Sequence, residues 1–330
     1  MSEPNNFALV PRPPGAVEKA QPGARRILAS MVSDVLAIAP VENAGDFYLK
    51  AVAYQDGCGV VQDHAEAARW FCKAAELGHA FAQFMLGECY ANGQGVPQDY
   101  TQAARWYRRA AEQSIKMGLW KLGDCYANGQ GVPQDYTQAV HWFRKAAEQG
   151  NVSGQWKLGD CYANGQGVPQ DYTQAVRWYR QAAEQGNAVG QWSLGECYAN
   201  GQGVPQGYTE AVYWYRLAAE QGDVAGQSML GDCYASGQGL PLNYAQAAHW
   251  YRKAAEQGSR LAQWELGRCY EKGKGVPKDV TAAWMWFKLA AEQNSALAKN
   301  DLAVLSALLS PAELIESQRL YAEHSKRKHL

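Results

Sequence analysis

The sequence lacks an excess of charge of either sign. Its 330 residues carry 31 Lys and Arg against 32 Asp and Glu, a formal net charge of −1. Nucleic-acid binders normally carry a strong basic excess, so no nucleic-acid partner is expected. No apolar run approaches the roughly 18–20 residues that span a bilayer, so no membrane span is expected. The first residues, MSEPNNFALVPRPPG, lack a basic stretch followed by an apolar core. No secretory signal is therefore read, and a cytoplasmic location is expected. Strand signals are missing. Metal spacing such as C-x-x-C is missing too, and His64, His79, His141, His249, His324 and His329 follow no common spacing. No Ser/His/Asp or Cys/His arrangement can be read, so no enzyme activity, metal or cofactor is expected. With 47% hydrophobic and 19% charged residues, the composition is that of a soluble globular chain.

What the sequence does have is a repeat. The segment AAEQG recurs every 36 residues, ending at Gly78 (as AAELG), Ser114 (AAEQS), Gly150, Gly186, Gly222, Gly258 and Asn294 (AAEQN). Seven repeats of 36 residues fill 43–294, and KLGDCYANGQGVPQDYTQAV occurs twice, at 121–140 and 157–176. A fixed period of 20–50 residues signals a solenoid, propeller or array. Each repeat reads as two helices. In the second, helix A covers about His79 to Asn92, Gly93-Gln94-Gly95-Val96-Pro97 breaks the chain, and helix B runs to about Gln113. Asp99 is placed as the N-cap of helix B, with Asp63, Asp135, Asp171, Asn243 and Asp279 equivalent and Gly207 the exception. The residue after each helix B suits a left-handed backbone, usually as glycine. Gly87 and its equivalents Gly123, Gly159, Gly195, Gly231 and Gly267 suit close approach of two helices. Trp70, Trp106, Trp142, Trp178, Trp214, Trp250 and Trp286 fill one helix-B position and read as inter-helix core. One helix pair cannot bury its apolar face alone, so stability should come from stacking.

The ends differ. Residues 1–24 read as a flexible Pro-rich tail, with Pro11–Pro14 taken as linker rather than polyproline ligand. Residues 25–42 read as an N-terminal capping helix. Residues 295–330 read as C-terminal capping helices with a basic tail. There Ser310-Pro311-Ala312-Glu313 offers an N-cap and a capping box, and Leu314, Ile315, Leu320 and Tyr321 should close the stack.

Cys89, Cys125, Cys161, Cys197, Cys233 and Cys269 also recur at the period, three residues after a core leucine. Helices of successive repeats should lie about 8–10 Å apart, beyond the roughly 7 Å a disulfide allows, so these thiols should be buried and unbridged. Cys58 and Cys72 fall outside the ladder, and a bond between them stays open.

The pattern A-Q-x-x-L-G-x-x-Y-x-x-G-x-G-V-x-x-D-Y-x-x-A-x-x-W-Y-x-x-A-A-E-Q-G runs most cleanly from Gln155-Trp156-Lys157-Leu158-Gly159 through to Gly186. It resembles the Sel1-like repeat, in seven copies. The resemblance implies an all-α fold, a right-handed α/α superhelical solenoid related to tetratricopeptide arrays, with helix A lining the concave side. It also implies adaptor or scaffold work in signalling, secretion or protein quality control. The family's secreted, cysteine-rich branch carries two cysteines per repeat in internal bridges. This sequence departs from that pattern, so that branch's extracellular role and penicillin binding are not carried over.

One feature points to a site. With Leu86 of helix A at the core, steps of 100° put Phe84 and Glu88 at about 160° and about 200°, on the opposite face. The aromatic recurs as Trp120, Trp156, Trp192 and Trp264, with Ser228 between; the acid recurs as Asp124, Asp160, Glu196 and Asp232, with Arg268 ending the track. Each aromatic lies four residues before its acid, so the two are helix neighbours. Stacking should draw an aromatic stripe beside an acidic stripe on the concave wall. Such a groove suits a partner protein or peptide with basic or aromatic residues, through ion pairing and cation–π contact. The same aromatics also suit packing against the next helix A, and Lys121 and Lys157 could neutralise Asp124 and Asp160 three residues on. A second reading is a small-ligand or glycan-binding enzyme, or a regulatory subunit of one, because aromatic platforms also bind sugars.

Overall fold

The computed structural model describes residues 43–328. The expected tail at 1–24 and capping helix at 25–42 lie outside the described residues. Every described regular element is a helix, sixteen in all. They form an α/α solenoid, and the chain divides into two compact units, Met1–Gln185 and Gly186–Leu330.

In the first unit the helices are α1 (Ala44–Asp56), α2 (His64–Glu76), α3 (Ala80–Asn92), α4 (Tyr100–Glu112), α5 (Lys116–Asn128), α6 (Tyr136–Glu148), α7 (Val152–Asn164) and α8 (Tyr172–Glu184). Odd-numbered members are helix A of a pair and even-numbered members helix B. Each packs against its neighbours before and after it in this unit. The second unit continues the alternation with α9 (Ala188–Asn200), α10 (Tyr208–Glu220), α11 (Val224–Ser236), α12 (Tyr244–Glu256), α13 (Arg260–Lys272) and α14 (Val280–Glu292). It ends with α15 (Ala296–Leu308) and α16 (Pro311–Lys328), both packed on α14.

Local chemistry explains the helix limits. The carboxylate of Asp99 accepts from the Thr101 and Gln102 amides at 2.8 and 3.0 Å, and Asp63, Asp135, Asp171 and Asp279 cap their helices in the same way. Gly207 supplies no side-chain cap. Ser310 and Glu313 form the reciprocal box before α16, where Leu314, Leu320 and Tyr321 pack on the core but Ile315 is exposed. At the end of each helix B the backbone turns left-handed on glycine, except at Ser114 and Asn294, both with φ of 61°.

Packing between the two helices of a pair relies on the missing side chain of one glycine. A Cβ placed on Gly87, Gly159, Gly195 or Gly231 would lie 2.6–2.7 Å from the ring of Tyr107, Tyr179, Tyr215 or Tyr251. Phe143 and Phe287 stand in the same place against Gly123 and Gly267. The turn glycine Gly131 meets the Tyr100 carbonyl of the preceding repeat, where a Cβ would come within 1.9 Å. The break between helices is therefore also a contact between repeats. Of the helix-B tryptophans, Trp106, Trp178 and Trp286 are buried and Trp70, Trp142, Trp214 and Trp250 half-buried.

Buried glutamines tie successive elements. Gln191 accepts from Gln221 Nε2 at 2.7 Å, and Gln227 accepts from Gln257 Nε2 at 2.9 Å while donating to the Ala219 carbonyl at 3.2 Å. Gln83, Gln155 and Gln263 repeat the pairing with Gln113, Gln185 and Gln293. This accounts for the glutamine in both A-Q-x-x-L-G and AAEQG. Buried amides are retained when both groups are satisfied.

Candidate functional site

The helix-A positions expected to face a groove do not all reach solvent. Phe84 is only 4% exposed and packs among Ala103, Ala104, Tyr107 and Leu119. Ser228 is equally buried. Trp120, Trp156, Trp192 and Trp264 are half-buried, with Trp120 wedged between the clusters of two successive repeats. The expected aromatic stripe is therefore buried at Phe84 and half-buried at its tryptophans. A helix inside a stack is covered on two flanks, by its own helix B and by the following pair, so the buried arc exceeds that of a helix with a single packing face.

The acids are half-buried, and four of the five are held by tyrosines. Tyr107 donates its hydroxyl to Glu88, Tyr215 to Glu196 at 2.6 Å, Tyr251 to Asp232 at 2.6 Å and Tyr179 to Asp160 at 3.5 Å. Burial, then the neighbouring carboxylate, pushes the Tyr107, Tyr215 and Tyr251 hydroxyls above their usual range, so they stay donors. Asp124 faces Phe143, which has no hydroxyl, and position 268, facing Phe287, is Arg. Sequence reasoning missed this pairing. The signal was available in the alternation of Tyr and Phe at helix B.

In the first unit two of the three acids, Glu88 and Asp124, also meet lysines, and Asp160 forms no ion pair among the described residues. Lys121 Nζ lies 2.9 Å from Glu88 and Lys157 Nζ 3.6 Å from Asp124. Each lysine reaches the acid of the preceding repeat, not the acid three residues on, which corrects the expected partner. The same lysines stand over Trp120 and Trp156, 4.9 and 4.5 Å from the ring centroids. Cation–π contact, expected from a ligand, is here supplied by the chain itself.

The second unit is different. The positions that would reach Glu196 and Asp232 as Lys121 reaches Glu88 are Met229 and Glu265. Glu196 and Asp232 have no ion pair among the described residues, and each keeps its tyrosine. Burial raises the Asp232 carboxyl above the usual range, and Glu196 raises it further, while the Tyr251 bond opposes them. Burial likewise raises Glu265, against the pull of Arg268 at 3.3 Å. Trp192 carries no stacked cation among the described residues, and its buried Nε1 has no partner there. Trp264 differs: Arg268 lies 4.7 Å from its ring and its Nε1 donates to Asp301 at 2.7 Å.

No group of three or more His, Cys, Asp or Glu that could hold a metal occurs among the described residues. All eight cysteines are free, and burial pushes the Cys89, Cys125, Cys197, Cys233 and Cys269 thiols up to about 11 and Cys161 to about 12. They are poor nucleophiles. No described helix is long and apolar enough to cross a membrane.

The Sel1 repeat model matches seven consecutive stretches, 48–79, 80–115, 116–151, 152–187, 188–223, 224–259 and 260–295. The chain belongs to the Sel1 repeat family. It is similar to a Sel1 repeat protein from Oxalobacter formigenes, with 30% identity over 86% of this chain and 80% of that one and a TM-score of 0.68. It is also similar to a protective antigen present in uropathogenic Escherichia coli strains and displaying an SLR fold, with 29% identity over 92% and 84% of the two chains and a TM-score of 0.40. No curated protein sequence matches the chain. Sel1 repeats commonly mediate protein–protein interaction, and their solenoids are typically non-enzymatic scaffolds.

Proposed function

We propose that this chain is a non-enzymatic scaffold that binds a basic, extended segment of a partner protein along the helix-A wall of its second unit. The observation that carries the reading is the contrast between the first two acids of the track and those of the second unit. Lys121 and Lys157 neutralise Glu88 and Asp124, whereas Glu196 and Asp232 hold half-buried carboxylates with no cation at ion-pair distance among the described residues. An uncompensated carboxylate behind a low-dielectric wall attracts positive charge more strongly than one in open water. Trp192 supplies an aromatic edge four residues from Glu196, at the spacing of helix-surface neighbours. Phe84 is assigned to the core. Trp120, Trp156, Glu88, Asp124 and Asp160 are assigned a smaller share of binding, and Trp264 a place at the groove's end.

Affinity capture from native lysate tests this. Wild type is compared with a Trp192→Ala, Glu196→Gln, Asp232→Asn variant and with a first-unit Trp120→Ala, Trp156→Ala control, all checked for equal helicity by circular dichroism. A partner lost by the second-unit variant and kept by the control supports the reading. A partner kept by the second-unit variant refutes it. Binding should weaken with salt, since charges are screened over about 8 Å at physiological ionic strength.

A further inference from the structure

A cavity of about 360 Å³ opens in the second unit between α11, α12 and α13. That volume falls in the ~300–1,000 Å³ range of sites that hold small ligand groups. Asp232 and Glu265 line it beside Tyr251, and Arg268, Lys272 and Lys274 supply positive charge. The charges are unevenly satisfied. Arg268 is taken up by Glu265, but among the described residues Asp232's carboxylate meets only the Tyr251 hydroxyl. Lys272 and Lys274 are exposed, and neither meets a carboxylate at ion-pair distance among the described residues; Lys274 stands 4.8 Å from the Tyr244 ring centroid. One side of the cavity thus offers an unpaired anion, and the other offers two unpaired cations.

The repeat supplies an independent observation. The positions of Lys272 and Lys274 hold Asn and Gln in the repeats of α3, α5, α7 and α9, and the position of Arg268 holds an acid. Leu266, Gly267, Cys269 and Tyr270 on the same helix keep the repeat residue. Arg268, Lys272 and Lys274 thus line this cavity, while Glu271 and Lys278, also new charges in this repeat, do not, and the packing face keeps its pattern.

We propose that the cavity receives a basic side chain of the partner segment followed two residues later by an acidic one, the basic group on Asp232 and the carboxylate on Lys272 and Lys274. A sphere of that volume is about 9 Å across, and side chains i and i+2 of an extended chain share one face about 7 Å apart. One such pair fits, and its polarity fixes the direction in which the segment lies. This rests on the groove reading above and adds a sequence requirement to it.

Isothermal titration of the full chain with acetyl-Ala-Arg-Ala-Glu-Ala-amide tests it, beside the same peptide with Gln for Arg, with Gln for Glu, and with both. The protein variants are Asp232→Asn and a Lys272→Asn, Lys274→Gln double variant, whose new residues the other repeats already carry at these positions. Replacing Arg in the peptide should weaken binding about fivefold or more for wild type and have no effect on Asp232→Asn. Replacing Glu should act the same way through the lysine variant. Independent, additive effects would overturn the proposal, as would a doubly substituted peptide that binds as well as the parent. Equal binding of free L-arginine would overturn it in favour of a small-molecule site. These failures leave the groove reading standing, because that reading is decided by capture of the partner with the Trp192, Glu196 and Asp232 triple variant, whereas Asp232→Asn alone tests only the cavity.

Discussion

Replacing Gly159 by Ala tests whether the helix pair is held by a missing side chain. The added methyl would lie 2.7 and 2.8 Å from Cδ1 and Cε1 of Tyr179 and 3.2 Å from the Ala175 carbonyl oxygen. Carbon atoms prefer about 3.5–4.0 Å, so the ring or the helix must yield by close to 1 Å. The ring has little room, because Tyr179 is 4% exposed and its hydroxyl lies 3.5 Å from Asp160. Overpacking of this kind costs about 1–3 kcal/mol. Alanine returns about 0.5–1 kcal/mol as the better helix former. The net expectation is a loss of about 1–2 kcal/mol. Thermal unfolding followed by circular dichroism should show it, at about 2–4 °C per kcal/mol for a cooperative unit of this size. Combining Gly159→Ala with Tyr179→Leu should cost less than the two changes summed, because the smaller side chain removes the clash. A Gly159→Ala midpoint at or above wild type, or strict additivity in the double variant, would refute the packing argument.

Three further outcomes are expected. Ser114→Gly should stabilise by about 1 kcal/mol in urea denaturation, because Ser114 holds a φ of 61° where most repeats have glycine; an unchanged midpoint would contradict this. Asp232 and Glu265 have folded-state pKa values raised above their unfolded ones, so the folded state binds protons more readily. Their contribution to stability is therefore gained as pH falls from neutral through the raised folded values towards the ordinary carboxylate range. The urea midpoint of wild type should accordingly rise relative to an Asp232→Asn variant as pH falls from neutral towards the ordinary carboxylate range, and parallel profiles would refute the assignment. Thiol labelling of the native protein should stop at Cys58 and Cys72, which are half-buried, and reach all eight cysteines only in denaturant; rapid native labelling of Cys161 would show that the ladder opens.

The helix pairs, their caps and their close glycines were legible because each is a local pattern repeated many times. Asp99 caps the residues beside it, and Gly87 faces an aromatic fixed by the same repeat. The candidate site was less legible because its chemistry crosses from one element to the next. A helical wheel put Phe84 opposite the core, but the adjoining pair covers that flank. Lys121 bonds an acid 33 residues earlier, and Tyr215 one 19 residues earlier, separations that no single-helix rule contains. The difference between paired and unpaired acids was nevertheless written at positions 121, 157, 193, 229 and 265, once the partner of Lys121 is known.

That difference allows the groove reading to be tested by transplanting one residue. Met229 occupies in the second unit the place that Lys121 holds against Glu88, and lies 33 residues after Glu196 as Lys121 does after Glu88. Met229→Lys should fold as wild type, since the first unit already carries lysine there, and should set an ammonium against Glu196. Titration of the captured partner into both proteins at physiological salt is the decisive measurement. An affinity reduced about tenfold, with the loss shrinking as salt rises, is the predicted result. Equal affinity for the two proteins would contradict the open acidic wall as the binding site.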